Sequence, residues 1–400
     1  MPSDLPGLPW AAATRDPLSG ARRQYSQDQI LHALRVAGSA TRADLIKATG
    51  LSRATVAAAV ARLLAAGLVQ EVPTVKGRTG PGRPATTLRL AAPRGVVIGL
   101  DFGHSHLRAA VADLAGQILI EQRRELQVDN SPDDALDAAA DEFDQLLNLI
   151  DADVGDVTSV AMGLPSPVER GTGRVVTNSI LPGWIDHRPA RELQQRIHLP
   201  VLLDNDANLA ALGEMTYGAA VGVRNFIYVK ASTGIGTGLV LDGRLYRGET
   251  GTAGELGHVQ TEPSGAVCRC GNRGCLETLV AVPHILASLQ HMHREPLTIS
   301  DVLQLVAAGD VSARRVVIDA GRAIGRPLAD LCNLLNPGML VVGGELAAAG
   351  KSFTAGIREA IDRHTQLSIA DAVTIRTSVL ADRADVLGAI ALAIQASSRV

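Results

Sequence analysis

Four hundred residues with 46% apolar side chains are more chain than one small core needs, and they suggest two to three domains. Aromatics make up only 2%, so Ala, Val, Leu and Ile must fill the core, while 40 glycines and 19 prolines supply turns; this excludes a disordered chain, collagen and a disulfide scaffold. The net charge of −3 is unevenly spread: residues 1–94 carry 13 Lys and Arg against 5 Asp and Glu, a balance of +8, and the remaining 306 carry 25 against 36, a balance of −11. A basic front implies contact with a polyanion, because Arg and Lys neutralising phosphates supply most non-specific nucleic-acid affinity. The acidic body is a poor surface for that purpose. No run of eighteen uncharged apolar residues occurs, and the opening MPSDLPGLPWAAATRDP lacks a basic-then-apolar signal pattern, so the expectation is a cytoplasmic protein with no membrane partner.

Residues 1–24, rich in Pro, Gly and Ala without a period, read as a mobile lead-in. From Tyr25 the pattern is helical: Ile30, Leu31 and Leu34 share a face, Thr41 can cap a short second helix carrying Leu45 and Ile46, and Gly50 ends it. Ser52 is the N-cap of a third helix, with Val56, Val60, Leu63 and Leu64 at helical spacing and Gly67 as its stop. LVQEVPTVKGRTGPGRPATTLRL then gives two short alternating segments around a Gly/Pro/Arg tip. The whole of 25–92 reads as a winged helix-turn-helix. In such a unit Ser52, Arg53 and Thr55 lie near base edges or phosphates in the major groove, and Arg78 and Arg83 sit on the wing. A small helical domain for protein contact is the alternative; the local charge favours DNA.

Gly95 begins a different pattern, and 95–400 reads as one α/β body. GVVIGLDFG, HLRAAVADLAG and ILIEQRREL read as strands, SPDDALDAAADEFDQLLNLI as a capped helix, VTSVAMGLP and PVLLDND as further strands, and DANLAALGEMTYG as a helix launched from the last of these. The order then partly repeats: a Gly-punctuated hairpin in FIYVKASTGIGTGLVLDGRLYRG, a long helix holding Cys332 as a core thiol, and the strand GMLVVGGEL running into AAAGKSFTAGIREAIDRH. Two β-rich halves with interleaved helices predict two α/β lobes with a cleft between them.

The densest signal lies in ELGHVQTEPSGAVCRCGNRGCLE. His258, Cys268, Cys270 and Cys275 offer three thiolates and an imidazole, a closed tetrahedral set for structural zinc in a loop spanning 258–275. Gly271 and Gly274 permit the tight turns, and Arg269 and Arg273 can offset the thiolate charge. Cysteines that merely fill a core are the alternative.

ExGH followed by CxCGxxGCxE, preceded by DNDAN and STGIGTG, resembles the ROK family of repressors, open-reading-frame proteins and sugar kinases, from about Gly95 onward. The resemblance implies an α/β, actin-like/hexokinase-like two-lobed ATPase fold with a sugar in the cleft, preceded in the repressor branch by an N-terminal winged helix-turn-helix domain. It implies that Asp206 matches the catalytic base of kinase members and that Asn205, Asp206, Glu255, His258 and Glu277 are sugar contacts, with His258 shared by zinc and sugar. It also implies nucleotide contacts at Asp101, Gly103 and Ser105, at Ser232, Thr233, Gly234 and Gly236, and at Gly343 and Gly344, with ATP and Mg²⁺ as cofactors only in an active kinase.

Three departures bear on this. The family's glycine-rich first phosphate loop reads Asp101-Phe102-Gly103-His104-Ser105-His106, with a bulky imidazole where backbone should meet phosphate. The expectation for His104 and His106 is a solvent-facing turn. Glu345 puts a carboxylate after Gly343 and Gly344. Ile180 stands where the family has a sugar-contacting Asn four residues before Trp184, with Asn178 or Ser179 as substitutes. These departures favour a transcriptional regulator responsive to a small-molecule sugar or sugar phosphate, a repressor at pseudo-palindromic operator DNA and a homodimer or homotetramer, over an active ATP-dependent sugar kinase with an appended DNA-binding domain.

Overall fold

In the computed structural model, which describes residues 17–73, 86–91, 95–175 and 180–397, Thr41 and Ser52 take the capping positions that their place in the sequence predicts. The chain divides into two compact units, one ending at Arg89 and the other beginning at Leu90. In the first, Thr41 and Asp44 form a reciprocal capping box on helix Arg42–Thr49, Gly50 closes that helix in the left-handed region at φ 69°, and Ser52 accepts from the Thr55 amide at the start of helix Arg53–Ala65. Ile30, Leu34, Leu45, Val56, Val60 and Leu63 meet in a core with Leu88 from the sheet. That sheet has the order Ser39–Thr41, Thr86–Leu90, Val69–Pro73.

The first helix runs Pro17–Ala37, so the expected lead-in is helical over its last eight residues. PLSGARRQ holds helix-forming Arg and Gln without an apolar face, which a reading by hydrophobic period does not register. The wing tip with Arg78 and Arg83, and Asn178 and Ser179, lie outside the described residues.

The second unit contains two five-stranded sheets of the same topology. In one, Val96–Phe102 pairs antiparallel with His106–Asp113, which pairs antiparallel with Ile118–Glu125, while Val157–Leu164 and Val201–Asn205 follow in parallel on the other side. In the other, Phe226–Ala231, Ile235–Leu241 and Arg244–Tyr246 form the antiparallel part, and Met339–Gly343 and Thr374–Thr377 the parallel part. The partial repeat read in the sequence is therefore a repeat of strand order. The first hairpin tips of the two halves, at Gly103–Ser105 and Ser232–Gly234, are equivalent positions.

Helix Pro132–Leu149 covers the first sheet. Its Ser131 makes no side-chain capping bond, contrary to expectation: at φ −130° and ψ 72° its backbone departs from the extended conformation in which a capping side chain reaches the second or third amide of the helix. Helices Val311–Leu335 and Lys351–His364 cover the second sheet, and Cys332 is fully buried there.

Two further helices join the halves. Helix Asp206–Tyr217 and helix Ala384–Ser397 cross with backbones almost touching: a Cβ on Gly388 would lie 1.7 Å from the Leu209 carbonyl oxygen, and one on Gly213 would lie 2.3 Å from that of Ala384. The segment entering the last helix is tied to the first sheet by Arg383 on Glu121 at 2.6 Å and by the Arg108–Asp382 ion pair. Gly388→Ala forces the crossing apart. We expect it to lower unfolding free energy by about 1–3 kcal/mol or more, read as a shifted urea midpoint.

Candidate functional site

A cavity of about 760 Å³ opens between the two sheets of the second unit. Both equivalent hairpin tips line it, as do Asn205, Asp206, Glu255, His258 and Glu277, so the five residues matched to sugar contacts share one space. Gly103, Ser105, Ser232, Thr233, Gly234, Gly236, Gly343 and Gly344 line it too; Asp101 lies behind them, 2% exposed.

DNDAN reaches the cavity at the junction of strand Val201–Asn205 and helix Asp206–Tyr217. Asp204 is buried and accepts from Arg247 Nε at 2.6 Å and Asn208 Nδ2 at 2.8 Å, which anchors the turn. Asn205 caps the helix through its Oδ1 on the Ala207 amide at 2.9 Å, leaving its amide nitrogen uncommitted to that bond. Asp206 does not stand free. Its Oδ2 accepts from Lys230 Nζ at 2.7 Å, and the same ammonium donates to Asp385 Oδ2 at 2.7 Å.

Burial opposes the charge on Lys230, but Asp206, Asp385 and Asp101 hold its pKa well above the ordinary value. Burial pushes the Asp385 carboxyl up to about 8, against Lys230, with Asp101 and Asp206 adding to the rise. Neither Lys230 nor Asp385 is among the residues that the sequence reading singles out. The available signal is a lone Lys in the otherwise apolar strand FIYVKA.

Glu255 follows Gly254, whose carbonyl accepts from Thr237 Oγ1 at 2.6 Å. Burial, then the charges of Asp206 and Glu277, push the Glu255 carboxyl up to about 7. Glu277 accepts from Arg269 Nε at 2.9 Å and from the Ile235 amide at 3.2 Å. Arg269 therefore serves Glu277, and Arg273 donates to the Gly265 carbonyl; the expectation that these guanidiniums offset the thiolates gives way to these bonds.

The two hairpin tips matched to phosphate-binding loops are obstructed by the chain's own side chains. His106 folds back so that a Cβ on Gly103 would lie 2.2 Å from its ring, with Nε2 3.6 Å from Asp101 Oδ2. His104 Nδ1 is 2.7 Å from Asp129 Oδ1. Both histidines line the cavity rather than a solvent-facing turn, because Asp129 and Asp101 draw the rings inward. At the second tip, Ser232 Oγ donates to Glu345 Oε2 at 2.7 Å, which brings a carboxylate to the glycines matched to nucleotide contacts.

His258, Cys268, Cys270 and Cys275 bring their ligand atoms within 4.8 Å of one another. Around a tetrahedral ion with bonds of about 2.3 Å to sulfur and 2.0–2.1 Å to nitrogen, sulfurs lie about 3.8 Å apart and sulfur lies about 3.5 Å from nitrogen. Cys270 Sγ and Cys275 Sγ are 3.7 Å apart and Cys268 Sγ is 3.6 Å from His258 Nδ1, so the group fits a metal ion and is too open for a disulfide. Gly274 makes the loop possible: at φ 69°, a Cβ there would lie 1.5 Å from the Glu262 carbonyl oxygen. His258 turns Nδ1 toward the sulfurs and Nε2 toward Glu255 Oε2 at 3.6 Å.

In the first unit Ser52 and Arg53 are exposed at the start of helix Arg53–Ala65. Ser52 Oγ and Thr55 Oγ1 are 2.9 Å apart, so the two hydroxyls already bond each other and Arg53 is the freest of the three to reach outward.

The sequence pattern of the ROK family matches residues 97–396, and that of the MarR family matches residues 24–78. The chain is 28% identical over 368 residues to a xylose repressor of Caldicellulosiruptor bescii, covering 88% of this chain and 91% of that protein. It is 32% identical over 308 residues to a glucokinase of Halalkalibacterium halodurans, covering 73% of this chain and 92% of the other. Among solved structures, a ROK family transcriptional regulator described as a homologue of the Escherichia coli MLC protein superposes with a TM-score of 0.72 at 28% identity, covering 94% of this chain and 96% of that one. No helix among the described residues is long and apolar enough to cross a membrane.

If the Cys/His group holds its loop through a metal, Cys270→Ser should reduce bound metal from about one per chain to none by elemental analysis and lower the melting temperature. Full metal content in that variant would refute the ligand assignment.

Proposed function

The chain belongs to the ROK family, and from that premise we propose that it is a sugar-responsive transcriptional repressor. The N-terminal unit, residues 25–92 on this reading, grips operator DNA, and the body from 95 onward senses a sugar. The observation that carries regulator over kinase is the Ser232–Glu345 hydrogen bond: a carboxylate held on the second glycine loop repels the phosphates that a kinase must seat there. His106 over Gly103 and Lys230 on Asp206 act in the same direction. A base whose two oxygens already accept hydrogen bonds from the Lys230 ammonium and the Ala207 amide is poorly placed to take a proton from a sugar hydroxyl.

On this reading Asn205, Asp206, Glu255, His258 and Glu277 bind sugar hydroxyls, each of which offers a donor and an acceptor. Structural zinc held by His258, Cys268, Cys270 and Cys275 braces the loop, and Arg269 from that loop orients Glu277. Arg53, Ser52 and Thr55, with Arg78 and Arg83, meet the DNA. Two reading heads on a pseudo-palindrome call for at least a homodimer, and operator binding for a cytoplasmic setting. The sugar alters repression only through different affinities for two states; inverting a 99:1 population takes about 5.5 kcal/mol.

Gel shifts on the DNA upstream of the protein's own gene, titrated with a saccharide panel, test this reading. We expect specific binding that one saccharide changes about tenfold or more, and ATP consumption far below the typical kinase turnover of about 1–100 s⁻¹. Equal operator affinity with every sugar, or turnover within that range, would refute it. Arg53→Ala should weaken operator binding by about 1–3 kcal/mol if it reads a base, or flatten the salt dependence by about one phosphate contact if it grips the backbone. Because Ser52 keeps its cap, the variant should melt like the wild type.

A further inference from the structure

Three carboxylates from three separate elements converge at the cavity, with Asp206 and Asp385 on its wall and Asp101 behind them. Asp101 ends strand Val96–Phe102, Asp206 opens helix Asp206–Tyr217, and Asp385 stands in the first turn of helix Ala384–Ser397. Asp101 and Asp385 are buried, and Asp206 is nearly so. Carboxylates gathered in this way repel one another unless a cation sits among them. Lys230 supplies one, with its ammonium 2.7 Å from both Asp206 and Asp385 and within the field of Asp101. One acceptor remains unused: Asp385 Oδ1 is buried and has no hydrogen-bond partner. Carboxylate oxygens gathered from three elements around one buried positive charge, one of them left over, are the donor type that a hard divalent cation takes, not that of a surface ion pair.

We infer that Lys230 is a tethered cation that takes the place of a divalent metal among Asp101, Asp206 and Asp385, making the charge balance of the cleft independent of bound metal. The inference concerns this carboxylate cluster alone and does not depend on operator binding. Its consequence is that removing the ammonium creates a metal site. A side chain that served only to pack or to hold the lobes would leave behind a weaker fold and no affinity for metal.

The test uses the full chain with its Cys/His group loaded, and Mn²⁺ alone as the probe, followed by electron paramagnetic resonance and by thermal melting. We expect the wild type to bind no Mn²⁺ at the cleft. Lys230→Ala should take up about one Mn²⁺ per chain, about tenfold or more tighter than any wild-type binding, and Asp385→Asn introduced into that variant should abolish the uptake. Lys230→Gln, which keeps a hydrogen bond to one carboxylate, should bind Mn²⁺ more weakly than Lys230→Ala and more tightly than the wild type. A variant that loses its melting transition should regain it on addition of Mn²⁺. Wild-type uptake equal to that of Lys230→Ala, folded variants without uptake, or an unfolded variant that Mn²⁺ does not restore would each overturn the inference. A wild type that ignores operator DNA while Lys230→Ala binds Mn²⁺ would sink the proposed function and leave the tethered cation standing.

Discussion

The crossing of helix Asp206–Tyr217 on helix Ala384–Ser397 is the constraint on which the second unit depends. At Gly388 and Gly213 the two backbones meet with no room for a β-carbon, so neither helix can slide without breaking the contact. Both helices begin at the cavity, and each carries an aspartate in its first turn, where the amide ends of a helix favour negative charge. The close approach therefore does more than pack the lobes together. It brings two buried carboxylates to one point and makes a cation there necessary, and Lys230 answers from a strand of the neighbouring sheet.

The repeated strand order explains why so much polar machinery shares one cavity. In each half a first hairpin tip follows the first strand, and the two tips face the same space. In this chain both tips are occupied by its own side chains: His106 folds over Gly103 in the first, and Glu345 is bonded to Ser232 in the second. The wall matched to sugar contacts is different. There Asn205, Glu255 and His258 line the cavity, and His258 joins that wall to the loop of Cys268, Cys270 and Cys275. One wall is closed by internal contacts and the other is left open for a ligand.

Much of this was legible in the sequence because the signals were local. Thr41, Gly50 and Ser52 mark helix ends by their own hydrogen-bonding chemistry, and the structure places each at the cap expected of it. The spacing of Cys268, Cys270 and Cys275 likewise carries its meaning within eight positions. What escaped was non-local. Arg269, read as a partner for thiolates by proximity in sequence, turns to Glu277, and His104 finds Asp129, 25 positions away. The Lys230–Asp385 contact spans 155 positions and has no short-range signature beyond a charged residue in an apolar strand. The start of the first helix at Pro17 escaped for the opposite reason: it has local propensity but no apolar period.

The balance between regulator and kinase comes down to which charges the cleft can accept. A phosphoryl-transfer site needs its carboxylates unpaired, so that one takes a proton and others hold the metal of the nucleotide, and it needs bare backbone amides at both glycine tips. Here the base-like Asp206 is held by an ammonium, and a carboxylate lies on one tip and an imidazole on the other. A triphosphate entering this cavity would have to break the Ser232–Glu345 bond and displace His106, and its metal would have to compete with Lys230 for the carboxylates. On the proposed reading a neutral saccharide meets none of these obstacles, because its hydroxyls would pair with Asn205, Glu255 and His258 beside the ion cluster without breaking it. The contacts that obstruct nucleotide thus leave the Asn205, Glu255 and His258 wall open, which is what the proposed sugar-sensing role requires.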